Sequence, residues 1–155
     1  MIPYKRHTLS NGLTVAVNRD RQSKLAAVNI LYKVGARNED PARTGFAHLF
    51  EHLMFRGTPD VPDFDLPVQM ACGDNNAFTN NDYTDFYITL PKDNIETALW
   101  LEADRMTGLD ISPEALETEK RVVIEEYKQR YLNQPYGDQG MLLRSLAYTL
   151  HPYRW

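Results

Sequence analysis

The sequence predicts an α+β domain in which a mainly antiparallel sheet carries helices packed on one face. Short β-rich runs lie near the start and in the middle of the chain, and turn residues join several of them. Helical patterns occupy most of the second half. The 155 residues contain no repeat, low-complexity segment or linker. We therefore expect one domain over residues 1–155.

The first predicted elements are strands. Residues 7–18 predict two short strands around a hairpin turn at Asn11-Gly12, a dipeptide typical of tight turns. Residues 25–34 are β-rich and predict a buried strand. Residues 35–43 form a polar loop, and Thr44 is the expected N-cap of the helix that follows.

That helix covers residues 44–55 (TGFAHLFEHLMF) and is almost wholly apolar, as a buried helix is. Its exceptions are His48, Glu51 and His52. Burying these groups costs on the order of several kcal/mol unless something satisfies them. His48 and His52 are four residues apart, so both rings leave one helix face and can reach one ion at about 2.0–2.1 Å. Glu51 is placed to hold a metal-bound water, in the inverted zinc-protease pattern H-x-x-E-H.

The middle of the chain predicts a helix followed by a hairpin. The helix covers residues 65–71, and residues 72–75 form a turn. Strands are predicted at residues 76–79 and 83–90, joined at Asn80-Asn81-Asp82. The only cysteine, Cys72, is expected to be a small buried residue, and one cysteine excludes an internal disulfide.

The second half predicts helices. Residues 95–107 form one, with Ile95, Leu99 and Met106 on one side. Ser112-Pro113-Glu114 starts a long helix with a cap and a proline in its first turn, and this helix continues to about residue 133. Pro135 interrupts or ends it, and residues 140–150 predict a last helix.

The long helix offers carboxylates for a third metal ligand. On a helical wheel Leu116, Glu119, Val123 and Glu126 share a stripe that the apolar members turn inward. One interpretation makes Glu126 a metal ligand and Glu119 its supporting carboxylate. The other pairs both with basic residues such as Arg130. The wheel does not decide between them, because Val122 and Ile124 widen the apolar arc.

Composition excludes several classes of function. The net charge is −4 with interspersed signs, so no basic surface for nucleic acid is expected. The apolar runs are shorter than the roughly 20 residues of a membrane span. The N-terminus has no apolar segment typical of a signal peptide, so the expected location is cytoplasmic, or periplasmic or organellar if a leader was removed.

Three ordered motifs resemble the pitrilysin family of zinc metallopeptidases, which includes insulin-degrading enzyme and the mitochondrial processing peptidase β subunit. They are TGFAHLFEHLMFRGT, CGDNNAFTNNDYTDFY and ETEKRVVIEEY. The opening HTLSNGLTV and the ending LHPY are similar to family landmarks as well. The resemblance is to the N-terminal catalytic half of these enzymes and spans nearly the whole chain.

The resemblance implies a role for each motif. His48, His52 and Glu126 would bind one zinc ion per catalytic domain, with Glu51 as general base and Glu119 supporting the site. The family's substrate-binding edge strand, where a peptide adds as a further strand, corresponds here to Asn76, Ala77, Phe78 and Thr79. A family glycine pair before that strand is replaced by Cys72-Gly73.

The implied function is zinc-dependent endopeptidase activity on peptide substrates. A second homologous half or subunit is the expected partner, because family members enclose a chamber between two halves. One family half has about 200 residues or more, so we expect a truncated domain that binds metal but cleaves peptides weakly by itself. An unpaired sheet edge would also favour self-association.

Two other functions are open to a chain with this helix motif. S-ribosylhomocysteine lyases share H-x-x-E-H but use one cysteine as a metal ligand and another in catalysis, and Cys72 cannot serve both roles. A non-catalytic peptide-binding subunit of a larger complex is the other alternative. Such relatives typically have a degraded motif, whereas His48, Glu51, His52 and Glu126 are all present here.

Overall fold

The structure, a computed structural model, describes residues 2–155 and places five strands in two antiparallel sheets. The smaller sheet is the predicted N-terminal hairpin of β1 (Lys5–Thr8) and β2 (Thr14–Val17). Its loop is closed by the Asn11 side chain, which accepts a hydrogen bond from the Leu13 amide at 3.1 Å.

The larger sheet has three strands in the order β3 (Leu25–Tyr32), β5 (Thr84–Pro91) and β4 (Asp74–Thr79). The two strands predicted around residues 80–82 are therefore confirmed as the β4–β5 hairpin, although β4 begins two residues early. Among the described residues β4 pairs only with β5, which leaves its outer edge open.

Three helices cover one face of this sheet, as the sequence predicts. They are α1 (Phe46–Leu53), α2 (Asp65–Met70) and α3 (Ile95–Thr107). Because side chains alternate along a strand, every second residue of β3 and β5 faces the helices. The resulting core contains Val28, Val61, Phe64, Val68, Ala71, Ile88, Leu90, Ala98 and Leu101.

The long helix α4 (Pro113–Tyr127) starts as predicted, with the Ser112 hydroxyl accepting a hydrogen bond from the Ala115 amide at 3.1 Å. A π-helical turn, Lys128–Leu132, extends it, and α5 (Gln139–Ala147) follows. α4 packs against α1, and this contact places the helix with the two carboxylates beside the helix with the two histidines. None of the helices among residues 2–155 is long and apolar enough to cross a lipid bilayer.

Three expectations of burial are wrong: those for β3, α1 and Cys72. The first two fail because one side of each element is exposed. In β3 only Val28 is buried, while Leu25 and Leu31 lie on the sheet face that carries no helix. α1 is likewise exposed on one side, where Phe46 and Phe50 are each 51% exposed. Cys72 is exposed instead of buried, since it lies in the turn before β4.

The start of α1 also differs from expectation. Gly45, with φ of 96°, precedes the helix instead of a capping Thr44 hydroxyl. The Glu39 carboxylate accepts hydrogen bonds from the amides of Gly45 at 2.8 Å and Ala47 at 2.7 Å. A carboxylate from the preceding loop therefore satisfies the free amides of the first turn.

Candidate metal centre

α1 presents its two histidines to one point. His48 and His52 are one turn apart, and their Nε2 atoms are 3.3 Å from each other. The two rings are nearly perpendicular, at 82°. Both side chains are only partly exposed. The i, i+4 spacing therefore has the geometric effect expected from the sequence.

α4 brings a carboxylate to the same point. The Oε2 atom of Glu126 lies 3.2 Å from His52 Nε2 and 3.6 Å from His48 Nε2. The three residues form the group whose ligand atoms all lie within 4.8 Å of one another. This group includes a carboxylate oxygen and two imidazole nitrogens, which are ligands that zinc prefers.

The distances within this group fit a tetrahedral zinc ion. Metal–ligand bonds of about 2.0–2.1 Å at tetrahedral angles separate neighbouring ligand atoms by roughly 3.3–3.4 Å. The observed separations between ligand atoms are 3.2, 3.3 and 3.6 Å. Three protein ligands leave a fourth position for water, as in catalytic zinc sites.

Glu126 combines the two interpretations that the sequence left open, since it faces the histidines and also pairs with a basic residue. One carboxylate oxygen faces the histidines, while Oε1 accepts from Nη2 of Arg130 at 2.8 Å. Arg130 is 67% exposed and lies one turn further along the helix. Because the arginine holds Oε1, the carboxylate presents Oε2 to the metal position.

Glu119 lies behind His52. Its Oε2 atom is 3.4 Å from His52 Nδ1, and its Oε1 atom is 3.4 Å from Nη1 of Arg56. Glu119 is buried. A carboxylate near the second ring nitrogen of a metal-binding histidine fixes the ring orientation and raises its basicity. Sequence reasoning missed Arg56, although its position four residues after His52 was a signal.

Glu51 belongs to the same site but not to the ligand group. It is only 9% exposed, and its Oε2 atom accepts a hydrogen bond from the Thr79 hydroxyl at 2.5 Å. This bond joins α1 to the last residue of β4. No other hydrogen-bond donor within residues 2–155 contacts the Glu51 carboxylate, so Oε1 remains available.

A cavity of about 590 Å³ joins these groups to the edge strand. The metal-site residues line one side of it, and residues 76–79 of β4 line the other. Ala77 and Thr79 share the helix-covered face, since they pair with Phe86 and Thr84. The Ala77 amide donates to Asn76 Oδ1 at 2.8 Å.

Cys72 takes no part in this cluster. It precedes β4 in an exposed turn, and the three grouped ligand residues include no thiol. The site thus lacks the cysteine ligand that a lyase of the alternative class requires.

The fold is that of a solved protease that resembles this chain over its whole length. Residues 14–149 match the sequence model of the insulinase family, peptidase family M16. This chain therefore belongs to that family, and the family predicted from the motifs is confirmed.

Named relatives and a solved structure agree with this assignment. "Zinc protease PqqE" of Helicobacter pylori is 36% identical over 151 residues, which are 96% of this chain and 34% of that protein. The "probable mitochondrial-processing peptidase subunit beta" of Schizosaccharomyces pombe is 31% identical, covering 94% of this chain and 32% of its own length. The crystal structure of a protease from Helicobacter pylori superimposes with a TM-score of 0.94 at 34% identity, over 100% of this chain and 38% of that one. The chain thus spans about a third of the length of these relatives.

Proposed function

We propose that this chain is the catalytic, zinc-binding part of an endopeptidase that hydrolyses peptides with a metal-activated water and Glu51 as general base. One observation carries the proposal. His48, His52 and Glu126 converge at separations that suit a zinc ion, beside Glu51 and an open strand edge in one cavity. The names of the relatives, zinc protease and processing peptidase, support the same reaction class.

The residues of the site have separate tasks in this reaction. Held by His48, His52 and Glu126, zinc would supply Lewis acidity, which lowers the pKa of a bound water toward about 7 and polarises a carbonyl group. Glu51 accepts a proton from the attacking water at Oε1 and returns it to the leaving amine. Glu119 holds His52 in orientation from its Nδ1 side.

The open edge of β4 is the proposed substrate site. An extended peptide that pairs with residues 76–79 would gain main-chain hydrogen bonds and lie along the cavity of the metal cluster. At Ala77 the peptide has to replace the contact between the amide and Asn76 Oδ1. Affinity then comes mainly from the backbone, and side-chain pockets determine specificity.

A second homologous half or subunit is the proposed partner. Residues of α1, α4 and β4 line the proposed substrate cavity, to which a partner could add further groups. One relative is named as a subunit of a processing peptidase. Free edges of the three-stranded sheet also support self-association as a second mode of assembly.

The experiment uses a chimera in which residues 1–155 replace the matching third of the Helicobacter pylori zinc protease. We expect zinc-dependent peptide cleavage, and Glu51→Gln should reduce its rate by about 10²–10⁴-fold, because the general base is lost. Zinc content should remain at one ion, since Glu51 is not a ligand. Mass spectrometry of the digested peptides and elemental analysis are the two measurements.

The matched control is Glu125→Gln, the same substitution at an exposed residue of α4 that pairs with Lys128. It should cleave peptides as the unsubstituted chimera does. The proposal fails if Glu51→Gln retains full activity, or if the zinc-loaded chimera cleaves no peptide.

A further inference from the structure

We infer that Thr79 is a positioning residue for Glu51, an inference that rests on the proposed role of Glu51 as general base. The Thr79 hydroxyl donates to Glu51 Oε2 at 2.5 Å. Hydrogen bonds from a hydroxyl to a carboxylate at this distance belong to the strong, charge-assisted class. The contact therefore holds one carboxylate oxygen and leaves the other for the water.

The direction of this hydrogen bond is fixed by the available hydrogens. The single hydroxyl hydrogen of Thr79 is donated to Glu51 Oε2, which accepts it. Thr79 Oγ1 also lies 3.1 Å from the hydroxyl of Thr84. Thr84 is buried and donates to the Val34 carbonyl at 3.0 Å. Because both hydroxyl hydrogens are then in use, the two hydroxyl oxygens are in contact without a hydrogen bond between them, and Thr84 packs beside Thr79.

The backbone around Thr79 holds the hydroxyl in place. Thr79 and Thr84 are paired residues at the closed end of the β4–β5 hairpin. The Asn80 amide donates to the Tyr83 carbonyl at 3.0 Å and closes the turn. The amides of Ala36 and Arg37 donate to the carbonyls of Asn80 and Asn81 at 3.1 and 2.9 Å. A β-branched side chain on such a backbone has little rotational freedom.

Thr79 consequently serves two parts of the site. Its backbone belongs to the edge strand that we propose binds the peptide, and its side chain orients the base that acts on that peptide. Thr79 then positions both the Glu51 carboxylate and a peptide bound to β4. This role differs from the substrate contact that the sequence predicts for Thr79, because the side chain faces Glu51.

Three variants test the inference. Thr79→Val keeps the shape of the side chain and removes the hydroxyl, and Thr79→Ser retains a hydroxyl. Thr89→Val is the matched control, because Thr89 lies on the same sheet and faces away from the site. All three should keep the zinc stoichiometry of the unsubstituted protein, since none is a ligand.

The first readout is nuclear magnetic resonance of the metal-free 155-residue chain, which requires no activity. We expect a Thr79 hydroxyl proton that exchanges slowly with water and shows scalar coupling to Glu51 Cδ. The signal should be present in Thr89→Val and absent in Thr79→Val. Rapid exchange of that proton in the unsubstituted chain would overturn the inference.

The second readout is kinetic, in the chimera described above. Thr79→Val should lower kcat by about 10- to 100-fold, the loss of one hydrogen bond to a charged group, with little change in KM. Thr79→Ser should recover most of the rate. Equal kcat values for Thr79→Val and Thr79→Ser contradict the inference. If the unsubstituted chimera cleaves no peptide, the proposed function fails, and the hydroxyl signal alone decides the contact between Thr79 and Glu51.

Discussion

At the scale of single residues, His52 contacts both the other proposed zinc ligands and the supporting carboxylate of Glu119. Its Nε2 atom faces His48 and Glu126, while its Nδ1 atom is 3.4 Å from Glu119. The pairing of His48 with His52 was predictable from sequence, because their spacing defines one helix face. The double role of Glu126 was not, since a helical wheel gives a face and does not identify the neighbouring groups.

Arg130 provides a test of how Glu126 is oriented. Arg130→Met removes the cation that holds Glu126 Oε1 at 2.8 Å and leaves the three proposed zinc ligands in place. We expect zinc affinity to fall by about 10-fold or more, as when other supporting contacts of metal ligands are removed. A competitive titration with a chelator measures this change.

The matched control for Arg130→Met is Lys128→Met. Lys128 forms an exposed pair with Glu125 on the same helical segment, away from the ligands. The Lys128→Met variant should bind zinc as the unsubstituted chain does. If both variants bind zinc equally well, Arg130 does not orient the ligand.

At the scale of elements, the sequence predicted most boundaries because local signals mark them. Ser112 with Pro113 marks the start of α4, and Asn11-Gly12 marks the hairpin loop. Burial was less predictable. The apolar pattern of β3 does not reveal that only one sheet face carries helices, and the cap of α1 comes from Glu39, six residues before Gly45.

α3 contains a buried ion pair between Glu102 and Arg105. Arg105 lies over the rings of Phe64 at 4.5 Å and Phe86 at 4.3 Å, and its Nε donates to Glu102 at 2.8 Å. Glu102→Ala leaves the Arg105 charge buried without its partner. We expect the free energy of unfolding to fall by about 3–5 kcal/mol. Denaturant titration measures this change.

The control is Glu96→Ala, an exposed position in the first turn of the same helix. Its effect should remain within roughly 0.5 kcal/mol. Comparable losses in both variants would show that the buried pair has no special role.

The Glu102–Arg105 pair also predicts how the free energy of unfolding depends on pH. Burial raises the pKa of Glu102 above its usual 4.5, while Arg105 opposes that shift. Glu102 therefore holds its proton more tightly in the folded state than in the unfolded state. The stabilisation that comes from this protonated carboxyl is lost as pH rises through the folded pKa. Relative to Glu102→Gln, the unsubstituted chain should lose unfolding free energy as pH rises above about 4.5.

At the scale of the whole molecule, the site depends on α1, α4 and β4 meeting at one cavity. Their residues are up to 78 positions apart, from His48 to Glu126. Local patterns predicted each part, but only the family resemblance implied that they come together. Apolar side chains of the last segments, including Leu132, Tyr136, Leu146 and Leu150, are exposed. These side chains support the proposed association with a second half or subunit.

The central claim is that α1 and α4 together form one zinc site, and anomalous diffraction at the zinc edge tests it most directly. In crystals of the zinc-loaded chain we predict one strong peak, at about 2.0–2.2 Å from His48 Nε2, His52 Nε2 and Glu126 Oε2. His52→Ala should abolish this peak and leave the fold intact. A stoichiometric zinc peak elsewhere, or an unchanged peak in His52→Ala, would contradict the account.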